Sequence, residues 1–193
     1  MIQNLDIVIL RWFNSWVGTG WDWAIIFRAV YLWYLVMVAV VLLVFITFLP
    51  KFRDYRRRHL ELFISVIFSA FIARFIVTEL IRFFYHRPRP FEVLEGVRVL
   101  QHQLFGSATG VGSFPSGHAA LAFAVATAFF FYYPRLSILF FLAALSVGGG
   151  RIAAGVHWPS DILGGAVVGI VTTILLRMLW RYIKKGRSAS AYS

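Results

Sequence analysis

The chain has 193 residues, no cysteine, 60% hydrophobic residues and 14% charged ones, well below the roughly 25% charged residues of a soluble globular domain. The absence of cysteine excludes disulfides, thiolate nucleophiles and thiolate-bound metals. A formal net charge of +11 without a nucleic-acid-binding motif points to anionic lipid and cytoplasmic basic loops, not to nucleic acid.

The length fits one domain over residues 1–193. In residues 1–17, Ile2, Leu5, Ile9, Trp12, Phe13 and Trp16 recur at helical spacing, while Asn4, Asp6, Arg11 and Asn14 interrupt any spanning run. Two readings stay open: an amphipathic helix at the membrane interface with its Trp rings at headgroup depth, or a short helix packed on a bundle. No cleaved signal peptide is expected. Residues 24–49 then form a first span with Arg28 as its one charge, long enough for the roughly 20 apolar residues a bilayer requires. Pro50 ends it, and residues 51–59, KFRDYRRRH, read as a basic cytoplasmic loop.

Residues 60–84 form a second span that carries Arg74, Glu79 and Arg82. Their spacing puts them near one helix face, turned toward protein. Pro88 and Pro90 hold Arg87 and Arg89 on an extended exit. Residues 91–113 read as an extramembrane or re-entrant loop, a candidate lid. Spans over 117–133, 136–153 and 159–180 follow, with Pro159 and Asp161 in a first helical turn and Gly165 and Gly169 spaced for close helix contact. The predicted fold is all-α: a polytopic transmembrane bundle of five spans plus the N-terminal interfacial amphipathic helix, six helices in all. Basic residues in 51–58, at Arg135 and in 177–187 then fall on one side, which makes it cytoplasmic together with the C-terminus. The polar residues from Arg82 onward fall on the outer side.

Three segments meet there: Arg82 and Arg89; Ser116, Gly117 and His118; and Arg151, His157 and Asp161. Arginines pair with phosphate oxygens through a planar fork, and the amides at 116–118 start a helix and suit an anion. Two histidines allow one to attack phosphorus and the other to protonate the leaving oxygen. Asp161, four residues after His157, can hold the imidazole tautomer. A metal held by His118, His157 and Asp161 is disfavoured by three nearby arginines, so no metal or cofactor is expected. Glu79 and Arg74 read as supporting residues, Glu79 as an ion-pair partner in preference to a proton carrier. Arg28 and His86 read as interfacial groups.

The pattern Arg82-x6-Arg89-Pro90, Pro115-Ser116-Gly117-His118 and Arg151-x5-His157-x3-Asp161 resembles the type 2 phosphatidic acid phosphatase superfamily of membrane lipid phosphatases and related haloperoxidases. Arg82 stands where the family usually has Lys, and Gly150 where it usually has Ser. The resemblance implies a metal-free phosphohistidine mechanism. In it His157 is the nucleophile, Asp161 its orienter and His118 the acid, while Arg82, Arg89, Ser116, Gly117 and Arg151 hold phosphate. Many members have six spans, which would reduce the family's first helix to residues 1–17 here. The HRPRPF and FPSGHAALAF stretches are most similar to bacterial undecaprenyl pyrophosphate phosphatases. That implies a plasma-membrane enzyme of cell-wall recycling that takes its lipid from the outer face. No obligate protein partner is inferred. Phosphatidylglycerophosphate, phosphatidate and lipid A are alternative substrates. A lipid transporter with Arg28, Arg74 and Glu79 as a polar path is the alternative of another class, although no inverted repeat is present.

Overall fold

A computed structural model describes residues 2–100 and 112–190, with side chains for 3–100 and 112–185. Part of the expected loop at 91–113, and with it the candidate lid, lies outside the described residues. Helix α1 (Ile2–Asn14) comes first. Helix α2 (Asp22–Ile26), a π-helical turn (Phe27–Tyr31) and α3 (Leu32–Thr47) run together as one helix of 26 residues. A 3-10 turn (Pro50–Tyr55), α4 (Arg56–Phe71), a second π turn (Ile72–Val77) and α5 (Thr78–Phe84) form another, of 35 residues. The short α6 (Pro90–Val93), α7 (Gly117–Tyr132), α8 (Pro134–Ala153) and α9 (Pro159–Ser190) complete the chain.

Four of these helices, Asp22–Thr47, Pro50–Phe84, Pro134–Ala153 and Pro159–Lys185, are long and apolar enough to cross a membrane. Their outward side chains, among them Leu35, Phe45, Phe68, Phe75, Leu139, Leu163 and Leu175, are exposed apolar groups suited to hydrocarbon. The chain is therefore an all-α, multi-pass membrane bundle. Helix α7 is apolar but has only 16 residues, about 24 Å at 1.5 Å per residue. It is the axis of the bundle: Ala119, Ala120, Ala124, Ala126 and Ala128 are fully buried, so neighbouring backbones approach it closely. Helix α9 does so through Gly165 and Gly169, where a Cβ would overlap the carbonyls of Ser116 and Ala120.

Residues 51–59, read from sequence as a loop, are helical. The chain breaks at Leu49, which is extended (φ −67°, ψ 140°), and Pro50 then sits at the first position of the next helix, where its missing N–H is harmless. The tail likewise stays helical to Ser190. The first helix packs on the bundle through Asp6, Leu10 and Asn14, one stripe at i, i+4 and i+8. Leu5, Val8 and Trp12 remain exposed on its other side.

Gly150 has a packing role. The π turn Phe27–Tyr31 lies so close to α8 that a Cβ at Gly150 would come 2.7 Å from the Ala29 nitrogen and 2.9 Å from the Arg28 carbonyl carbon. Both are backbone atoms, so a serine cannot enter without displacing a helix. Gly150→Ser is expected to destabilise the bundle by about 1–3 kcal/mol through overpacking. The check is its unfolding midpoint in detergent, and an unchanged midpoint would contradict this packing.

Candidate active site

The end of α5 and the extended segment after it, the start of α7, and the turn between α8 and α9 meet at one end of the bundle. Gly155, with φ +75°, turns the chain after α8 in a left-handed conformation that suits glycine. The turn delivers His157, 1% exposed, just before Pro159 starts α9. One helical turn on, Asp161 is fully buried, and its Oδ2 accepts the Trp158 amide at 2.9 Å and lies 3.4 Å from His157 Nδ1. The expected His157–Asp161 pair is present, but it is long for a hydrogen bond. Burial first, and then the charges of Arg151, Arg89 and Arg82, hold the His157 pKa well below 6.5 and keep the imidazole neutral.

The arginines arrive with different degrees of compensation. Arg82 Nε and Nη2 both donate to the Pro115 carbonyl, at 3.2 and 2.9 Å, and its Nη1 donates to Glu79 at 3.2 Å. Glu79 also pairs with Arg74, which leaves the second π turn and lies over Gly117. A Cβ at residue 117 would meet the Arg74 side chain and oblige it to shift. Arg89 Nη1 donates to the Val156 carbonyl at 3.0 Å. Burial, the dominant effect, lowers the Arg89 pKa, against the opposing influence of Glu92 and Asp161. The Nε groups of Arg89 and Arg151 are buried and have no acceptor among the described residues. A charged donor left this way is costly, and an anion seated between such groups removes the penalty.

Ser116 is fully buried and caps α7, its hydroxyl accepting the Ala119 amide at 3.5 Å. Its own amide donates to the Asp161 carbonyl at 2.9 Å. That corrects the expectation that the Ser116 amide cradles an anion: it is already used to tie α7 to α9. The Gly117 and His118 amides remain as first-turn donors without intrahelical acceptors. His118 is half-buried and within electrostatic range of His157, Arg151, Arg74 and Arg82. Among the described residues no group of three His, Asp, Glu or Cys side chains is arranged to hold a metal ion. Arg28 and His86 stand apart from these hydrogen bonds.

Sequence reasoning missed Arg87 and Asp6. Arg87 donates through Nη1 to Asp161 and through Nη2 to Asp6, both at 2.7 Å. Burial opposes the Arg87 charge, but the hydrogen bonds and charges of Asp6 and Asp161 outweigh it and raise its pKa. The available signal was a carboxylate in a mostly apolar helix of a membrane bundle, which calls for a partner.

Four buried or nearly buried arginines and a buried His–Asp pair thus gather at one end of a multi-pass membrane bundle, which defines the class of protein. The chain belongs to the PAP2 superfamily, whose sequence model matches residues 58–185. It is 28% identical over 108 residues to the bacitracin transport permease protein BcrC of Bacillus licheniformis, covering 55% of this chain and 50% of that protein. It is 29% identical over 122 residues to the putative undecaprenyl-diphosphatase YbjG of Escherichia coli, covering 63% of this chain and 58% of that one. It is 29% identical over 119 residues to a lipid A 1-phosphatase of Rhizobium johnstonii, covering 62% and 46%. The chain thus spans about half the length of the curated relatives it matches. The crystal structure of Aquifex aeolicus LpxE superposes with a TM-score of 0.66 at 28% identity, covering 89% of this chain and 93% of that one. A PAP2-type phosphatidylglycerolphosphate phosphatase from Bacillus subtilis, 21% identical, shares the fold with a TM-score of 0.65 over 94% of this chain and 87% of its own.

If Arg89 and Arg151 await an anion, orthovanadate should raise the unfolding midpoint, and Arg151→Gln should weaken that binding at least about tenfold through loss of a charge-assisted contact. Equal stabilisation of the variant would contradict the clamp.

Proposed function

We propose that the protein is a membrane phosphatase that removes a phosphoryl group from a lipid phosphate through a covalent intermediate on His157. The observation that carries this reading is the pair of unpartnered, buried guanidinium N–H groups of Arg89 and Arg151 beside the buried His157 imidazole and its Asp161 partner. Neutral His157 is competent as a nucleophile without a separate base.

In the first step a lone pair of His157 Nε2 attacks phosphorus. The bond from phosphorus to the lipid oxygen breaks, and that oxygen takes its electron pair and a proton from His118 in its imidazolium form, which the negative charge of the bound phosphate favours. In the second step His118 takes a proton from water, the water oxygen attacks phosphorus, and the P–N bond breaks with its pair returning to His157. Inorganic phosphate leaves. Asp161 stabilises the charged imidazole during the first step. Arg89, Arg151, the Gly117 and His118 amides, and the N–H groups of Arg82 not bound to Pro115 or Glu79 hold the phosphoryl oxygens. Ser116 positions this loop by capping α7. No step calls for a metal, in keeping with a family that is generally metal-independent.

The pocket residues recognise phosphate and say little about the lipid. The similarity to lipid A 1-phosphatase supports a phosphate monoester of that kind as substrate. The similarity to an undecaprenyl-diphosphatase supports a second reading, hydrolysis of undecaprenyl diphosphate. Transport without hydrolysis, the alternative suggested by the permease relative, leaves the His157–Asp161 pair without a task. In the proposed topology α7 is a short fifth crossing enclosed by its neighbours. The basic residues Arg58 and Arg177 contact Tyr132 at the far end of α7 from His118, which supports a cytoplasmic C-terminus and an outward site.

The decisive assay is phosphate release, with chelator present, from purified lipid A, undecaprenyl diphosphate, phosphatidylglycerophosphate and phosphatidate. At least one should be hydrolysed, and His157→Ala should lose at least about 10³-fold in kcat, the scale seen when a nucleophile is removed. Lipid flux into liposomes without phosphate release would overturn the enzyme reading. For topology, Glu95→Cys should react with an impermeant thiol reagent in intact cells, and labelling only after lysis would invert the orientation.

A further inference from the structure

Helix α1 buries a carboxylate where a short helix on a membrane bundle ordinarily buries an apolar side chain. Asp6 is 3% exposed and is used on both oxygens. Its Oδ1 accepts the Ser160 amide at 2.9 Å, and its Oδ2 accepts the Ser160 hydroxyl at 2.6 Å and Arg87 Nη2 at 2.7 Å. From its other nitrogen, Arg87 donates to Asp161 Oδ1 at 2.7 Å and to Ser160 Oγ at 2.6 Å. The guanidinium also lies over the Trp158 ring, 5.1 Å from its centroid. One arginine thus bridges two buried carboxylates, one from α1 and one from the first turn of α9.

Two physical consequences follow for the turn that carries Asp161. Helix α9 begins at Pro159, so the Ser160 amide has no acceptor within its own helix. Asp6 supplies that acceptor from another helix, a cap in trans that fixes the first turn. Asp161 itself is held at Oδ1 by Arg87 and at Oδ2 by the Trp158 amide, with the Ser113 side chain as a further hydrogen-bond partner of the carboxylate. The same Oδ2 faces His157 Nδ1 at 3.4 Å, so the hold on this carboxylate sets that approach. Asp6 also shares the Arg87 charge. Without it, the guanidinium falls wholly on Asp161 and draws that carboxylate away from the imidazole.

We propose that Asp6 is a positioning residue for the reaction: acting through Arg87, it sets the Asp161 carboxylate and thereby the His157 imidazole. The N-terminal helix, which lies outside the family match at residues 58–185, is then an integral part of the active site. The kinetic part of this proposal rests on the phosphatase reading.

A simple staple between α1 and the bundle would use the same bonds, and α1 offers an internal comparison. Two turns further on, Asn14 anchors the same helix by donating to the Arg98 and Ala153 carbonyls, both at 2.8 Å, and by accepting the Arg98 amide at 2.9 Å. It makes no hydrogen bond to Arg87, Ser160 or Asp161. Asp6→Asn keeps the shape and an acceptor for the Ser160 amide but removes the charge. It should lower kcat at least about tenfold while KM and vanadate affinity stay within threefold, because the Arg89 and Arg151 clamp is untouched. In an Arg87→Gln background the same change should add less than twofold, since contacts that act in series are not additive. Asn14→Ala should leave kcat within twofold. Wild-type kcat in Asp6→Asn, independent losses in the double variant, or an equal loss in Asn14→Ala would each overturn the proposal. If Asp6→Asn does not fold, Arg87→Lys carries the test, because a lysine keeps the charge but lacks the planar fork that bridges two carboxylates. One readout is independent of turnover: the ¹⁵N shift of His157 Nδ1 should move in Asp6→Asn and stay in place in Asn14→Ala. An unmoved shift overturns the coupling. Failure of the wild type to hydrolyse any lipid phosphate would instead sink the phosphatase reading, with the shift still deciding the coupling.

Discussion

Buried positive charge is the constraint on which this structure depends. Arg82, Arg87, Arg89 and Arg151 are each at most about one-sixth exposed and lie at one end of an otherwise apolar bundle. Guanidinium groups stay charged, so each needs compensation in place. Arg82 has a carbonyl and a carboxylate, and Arg87 has two carboxylates. Arg89 and Arg151 are only partly satisfied. The unevenness has a functional sense: Arg87, matched by two carboxylates, holds the architecture, Arg82 is engaged by it only in part, and the unpartnered Nε groups of Arg89 and Arg151 are the ones an anion completes.

Holding these groups together requires close backbone approach. The alanine-rich α7 and the glycines of α9 bring the Ser116 loop against Asp161, so that the Ser116 amide reaches the Asp161 carbonyl. Gly150 lets α8 approach the π turn at residues 27–31, and Gly117 leaves room for Arg74 from the other π turn. Both π turns therefore lie against segments that carry site residues, as such insertions often do in functional regions. The glycine at residue 150, where the resemblance leads one to expect serine, has a packing reason.

Much of this was legible in the chain. Long apolar runs gave the membrane helices, and three polar clusters at their ends marked the segments that meet. The family pattern in residues 82–161 agrees with the matched region. Less was legible where one residue type has two physical uses. The basic stretch 51–59 reads as a loop by charge, yet Pro50 at a helix start lets it continue as helix. Asp6 and Asn14 read as interruptions of an apolar face, whereas they are buried anchors on one stripe with Leu10, and Leu5, Val8 and Trp12 point outward. Arg87 lies in an Arg-Pro-Arg-Pro stretch, and only the fold decides which arginine faces Asp161. The Ser116 amide looks free in sequence and is occupied by a residue 45 positions away.

The covalent step on His157 is the central claim, and trapping the intermediate tests it most directly. Lipid phosphate labelled in its terminal phosphoryl group should be mixed with the enzyme, quenched in alkali within a turnover, and the modified peptide mapped. Label on His157 that appears and decays at the rate of turnover is the predicted result. Turnover with no protein-bound label, or label on His118 in place of His157, would contradict it.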